Sequence, residues 1–189
     1  MKKQLLFIAA LFSFGIFNAQ ISVSHIGTTG ALINYLQGYG LTISNMQITG
    51  DTNQLGFFSG VSNMAFGSGV IMSTGYVDSV PGPASKFACG VMNGNGDADL
   101  TLAAGMSTYD ASVVEFDCIP LNDTILFDFA FGSEEYPEYV NTGFNDVFAI
   151  YVSGPDPSGG NYVNKNLALI PNTSTVVSIN SINATTNSS

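Results

Sequence analysis

Apolar and polar residues alternate along most of this chain in short runs, separated by clusters of Gly, Asn, Ser and Pro. Period-two alternation marks a half-buried strand, and the turn formers mark where each strand ends. Residues 41–43 and 46–48 alternate on either side of a bend expected at Ser44 and Asn45. Residues 69–75 form a compact strand bounded by glycines, and in 113–119 Val114, Phe116 and Cys118 share one face. The clearest pattern is 124–131, with Ile125, Phe127, Phe129 and Phe131 on one face and Asp128 among the opposite set. Residues 147–152 are apolar on both faces, as in a central strand covered from both sides. Further strands are expected at 167–170 and 176–179.

One stretch changes period. Ala31, Leu32, Tyr35 and Leu36 fall at helical spacing, Thr28 or Thr29 can cap them, and Gly38 and Gly40 stop the helix. Together these patterns predict an all-β chain: an antiparallel β-sandwich, jelly-roll-like, with one short N-terminal helix. No repeat at a fixed period and no long linker interrupts it.

The first residues belong to a different class. Lys2 and Lys3 precede an apolar run at 5–16, and Asn18, Ala19 and Gln20 follow it. That layout is a secretory signal peptide, residues 1–19, with cleavage after Ala19 leaving a domain at 20–189. The run is shorter than the roughly 20 residues that span a bilayer, and no later stretch approaches that length. The expected location is therefore secreted or extracellular, at the cell surface of a bacterium, with no membrane span in the mature chain.

Export sharpens the charge. The mature chain keeps 14 acidic residues against Lys86 and Lys165 alone, a net charge of −12. Such a surface repels phosphate backbones, which excludes nucleic acid as a partner. Metal cations, basic surfaces and neutral polymers remain. Cys89 and Cys118, in a chain bound for an oxidising compartment, predict one disulfide. Two unpaired thiols are the alternative.

The run at 127–152 reads FDFAFGSEEYPEYVNTGFNDVFAIYV. It resembles the choice-of-anchor L family of bacterial extracellular domains, in which an aromatic strand precedes SEEYPEYV, here 133–140, and FNDVF, here 144–148. Ser153-Gly154-Pro155 and the segments 43–51, 68–75, 96–100, 108–111, 168–171 and 177–180 match further family features in order. The resemblance covers residues 26–183 and implies a surface-tethered globular domain with no defined activity. Members continue beyond the segment matching 176–180 with more strands and an anchor, so it also implies that C-terminal strands and anchor are missing and the domain is incomplete here.

Two acidic clusters carry candidate chemistry. Asn93, Asn95, Asp97 and Asp99 alternate with Gly or Ala, so their oxygens could turn toward one hard cation such as calcium. An ordinary turn rich in Asn, Gly and Asp is the competing reading. In the second cluster, Glu134, Glu135, Glu138 and Asp146 crowd together, and two lysines cannot neutralise both clusters. Calcium at Glu134, Glu135 and Asp146, or hydrogen bonds from backbone amides, would then have to satisfy these carboxylates. Tyr136, Tyr139 and Phe144 lie beside them as candidate contacts for a ligand, and core or rim packing is the alternative for each.

Catalysis finds little footing. His25 is the single histidine, no G-x-S-x-G occurs, and a zinc hydrolase would lack its ligands. A glycosidase would need two facing carboxylates, yet Glu134 and Glu135 are strand neighbours of opposite phase. The function expected is a non-catalytic binding or adhesion module for an extracellular polysaccharide or protein ligand, steadied by calcium. A carbohydrate-active enzyme and a structural spacer of a larger surface protein are the alternatives.

Overall fold

The computed structural model describes residues 21–38, 40–61, 64, 66–83 and 90–187. The proposed signal peptide, Lys86 and Cys89 lie outside these residues. Every strand pair within them is antiparallel, and only two short α-helices interrupt the β structure, which is the all-β, sandwich-like architecture that the alternation predicts. Among the described residues no helix is long and apolar enough to cross a membrane.

Strands β1 (Ile21–His25), β3 (Leu55–Gly60) and β4 (Ser68–Met72) form one sheet with β3 at its centre. A second sheet pairs β2 (Leu41–Thr49) with β5 (Val113–Pro120). The pairing slips between Ser44 and Gln47, where Asn45 takes a positive φ of 52°. The expected bend is thus a bulge inside one strand: Asn adopts the left-handed conformation more readily than most residues. Helix α1 (Thr29–Gln37) begins where predicted, with Thr28 Oγ1 accepting from the Ala31 amide at 3.2 Å.

The core lies between α1 and these sheets. Leu32 from the helix meets Ile43 and Met46 of β2, Ile26, and Leu55 of β3, all buried, with Phe57, Val114 and Phe116 packed around them. Burying Leu32 alone contributes about 2 kcal/mol.

The second half of the chain forms two small ladders. Strand β6 (Val147–Phe148) pairs with β9 (Val177–Ser178), and β7 (Tyr151–Pro155) pairs with β8 (Asn161–Asn166). The single strand expected at 147–152 is therefore split and only half-buried at its centre. Asn166 Oδ1 accepts from the amides of Ile150 at 3.2 Å and Ala168 at 2.9 Å, replacing ladder bonds at the break. Residues 167–170 likewise make one isolated bridge, Leu169 to Val176, instead of a strand.

The largest departure is 124–131. Its alternation is the clearest in the sequence, yet it joins no ladder, and residues 121–130 are exposed. A strand needs a hydrogen-bonded neighbour, and no described segment supplies one. Cys118 also departs from expectation: it is a free, exposed thiol on β5, without the predicted bond to Cys89.

One buried polar residue joins three segments. Gln54 is 1% exposed and sits in a 3-10 turn, Thr52–Gln54. Its Nε2 donates to the carbonyls of Thr74 at 3.1 Å and Asp110 at 2.6 Å, and its Oε1 accepts from the Asp51 amide at 2.7 Å. Gly50, with φ of 115°, leaves room for this amide: a Cβ there would lie 2.8 Å from Gln54 Oε1 and 2.7 Å from the Ala111 carbonyl. Removing the amide strands three partners at once. Gln54→Ala is expected to lower the unfolding free energy by about 2–4 kcal/mol in urea titrations; a loss under about 0.5 kcal/mol would show that water replaces the amide without penalty.

Candidate functional site

The first acidic loop is folded by its own carboxylates. Asp97 caps helix α2 (Ala98–Ala104), its Oδ1 accepting from the amides of Asp99 and Leu100, each at 2.9 Å. Asp110 fastens the preceding turn from across the loop, accepting from the Met92 amide at 3.2 Å and from the Gly94 amide. Asn95 bridges to Tyr109, and Asn93 takes a positive φ of 56°. Gly96 permits the closest approach, since a Cβ there would fall 2.0 Å from the Thr108 carbonyl. Asn93, Asn95 and Asp99 are exposed, and Asp97 spends one oxygen on the helix start. Turn and cap formation account for the pattern here without a cation.

The second loop brings its carboxylates together. Residues 134–141 coil through successive turns after Ser133, whose Oγ accepts from the Glu135 amide at 3.1 Å. The loop is then bound to the segment around β9 by a set of backbone and side-chain bonds. The Asp146 carbonyl accepts from the Ile179 amide at 3.1 Å, and Asn145 Oδ1 from the Asn180 amide at 3.0 Å. Asn180 Oδ1 returns the contact by accepting from the Asn141 amide at 2.5 Å, and the Tyr136 hydroxyl donates to the Ile182 carbonyl.

This packing puts charge where water is scarce. Burial, then the neighbouring charges of Asp146 and Glu134, pushes Glu135 up to about 7. Burial and Glu134 also raise Asp146. Glu135 Oε2 is enclosed without a hydrogen-bond donor. Among the described residues the only ion pair is His25 with Asp78, 3.0 Å apart, and Lys165 lies over the Tyr162 ring, so no described basic side chain is paired with these acids. Glu138 is exposed on the outside of the loop. Among the described residues no three His, Cys, Asp or Glu side chains are grouped closely enough to hold a metal ion. A cation here would need the carboxylates to tighten and backbone oxygens to join them.

The three aromatic candidates separate by role. Tyr136 is half-buried and committed through its hydroxyl, while Tyr139 and Phe144 meet edge to face at 5.2 Å. Only Phe144, 59% exposed, offers an open ring. Sequence reasoning missed Asn145 and Asn180 as the clamp of this loop; the motif at 144–148 and the Asn at the end of 177–180 were the available signals.

Glu135 contributes a defined pH dependence. Its folded pKa lies above its unfolded one, so the fold binds this proton more tightly, and stability is full below about 4.5 and is lost as pH rises through about 7. Glu135→Gln removes that loss. At pH 8 it is expected to stabilise the chain by on the order of 1 kcal/mol after allowance for solvent screening, and at pH 4 to change little. Thermal melts at both pH values check this, and equal effects at the two would place the charge elsewhere.

A sequence model of the choice-of-anchor L domain matches residues 22–189. No curated protein and no solved structure matches the chain. The matched span contains both β-sheets of the core, the 133–146 loop and the segment that clamps it. That domain suggests a surface-associated setting, extracellular or on the cell surface. The chain belongs to the choice-of-anchor L family.

Proposed function

We propose that this chain is a non-catalytic binding or adhesion module, secreted and displayed at the cell surface, and that calcium steadies its 133–146 loop. One observation carries the calcium reading. Glu134, Glu135 and Asp146 repel one another in a partly buried loop that no described basic residue neutralises, and Glu135 Oε2 lacks a donor. A divalent cation would turn that repulsion into attraction, with neighbouring carbonyls completing an oxygen shell. Phe144, exposed at the rim, and the nearby Tyr139 would meet an extracellular polysaccharide or protein ligand.

The same pair supports a second reading. Glu135, pushed up to about 7 beside Asp146, has the protonation behaviour of a general acid facing a carboxylate, as a carbohydrate-active enzyme would need. The binding reading is preferred because Asp146 is raised as well, where a nucleophile or base should stay ionised. His25, the single histidine, is already engaged by Asp78.

Thermal unfolding with calcium chloride and with chelator tests the proposal. Calcium at ten times its Kd is expected to add about 1.4 kcal/mol, a rise of a few degrees in midpoint. Glu135→Gln combined with Asp146→Asn should abolish that rise. Melting curves indifferent to calcium would remove the metal from the account, and hydrolysis of a polysaccharide lost in Glu135→Gln would replace binding with catalysis.

A further inference from the structure

Residues 124–133 run without a turn or bend, and no backbone hydrogen bond joins residues 122–132 to any other described residue. Their side chains nevertheless alternate as a strand's should. Phe129 leans on Phe148 with ring centres 5.2 Å apart, and Phe66, Phe127, Asp128 and Phe129 line a shallow depression of about 370 Å³. Leu126, on the opposite set, is 87% exposed, and Phe127 still shows 47% of its surface. A row of unpaired N–H and C=O groups beside an apolar depression is the template on which extended peptides add as a further strand.

Charge selects the occupant. Asp123 and Asp128 are both exposed on this segment, and Lys165 is the only lysine among the described residues, with no arginine in the chain. A second copy would bring a strongly acidic chain against its like, with the Asp128 side chains on the same face of a shared ladder. Like charges across a ladder are destabilising. We propose that residues 124–131 are a docking edge for an extended polypeptide strand of another protein, apolar where it meets the phenylalanines and cationic where it meets Asp128. The proposal specifies the partner class of the binding-module reading, yet it uses none of the carboxylates at 134–146, so the calcium experiment can fail without it.

A labelled peptide alternating lysine with valine is the probe, read by fluorescence anisotropy against the purified chain, with amide exchange locating the contact. Binding should protect amides within 124–131. A lysine–glycine peptide of the same charge and a glutamate–valine peptide should bind at least about tenfold more weakly. Asp128→Lys, an exposed substitution, should weaken the lysine–valine peptide by about tenfold and improve the glutamate–valine one. Equal binding of the lysine–glycine peptide would reduce the contact to diffuse charge and overturn the proposal. So would protection confined to other segments, or sedimentation showing that a second copy already covers this edge.

Discussion

The side-chain amide of Gln54 is the interaction on which the remaining structure hangs. Buried to 1% exposure, it satisfies the Asp51 amide and the carbonyls of Thr74 and Asp110. A buried amide is tolerable only when its donors and acceptors are met, so this network admits one arrangement of the three segments. Its reach extends further through Asp110, whose carboxylate holds the amides of Met92 and Gly94. The turn before α2 is thereby tied to the three-stranded sheet, although the two are distant in sequence.

The acidic loop at 133–146 is held by different means. It is fastened by side-chain amides and backbone bonds from Asn141, Asn145 and Asn180 and has little apolar packing of its own beyond Tyr136, Tyr139 and Val140, all half-buried. Segments with few buried apolar contacts open at lower free energy than a packed core. Repulsion among Glu134, Glu135 and Asp146 adds to that tendency above neutral pH. A loop with these properties suits recognition, because a cation or ligand that supplies the missing positive charge also orders it.

Local patterns were legible in the sequence, and long-range pairings were not. Helix α1 with its Thr28 cap, the irregularity at Ser44 and Asn45, β4 and β5 all follow from periodicity and turn chemistry read within about ten residues. Strand β3 escaped because Gly56 and Gly60 break its alternation, although it is the central strand of its sheet. Nothing local marks Gln54 as buried, since its three partners lie up to 56 positions away. At 124–131 the alternation was correctly read as strand-like, but pairing depends on a neighbour that periodicity cannot supply. Of the candidate site, the residue types of the second acidic loop were visible; its clamp on Ile179 and Asn180 is a tertiary contact.

Native-state hydrogen exchange across the whole chain tests this account most directly. The amides of Asp51 and Ser73, which are bonded to Gln54, should exchange only through global unfolding, while those of 124–131 should exchange orders of magnitude faster in the unliganded chain. Protection at 124–131 equal to that at Asp51 and Ser73 would contradict it, by showing that the segment is an integral strand of the fold.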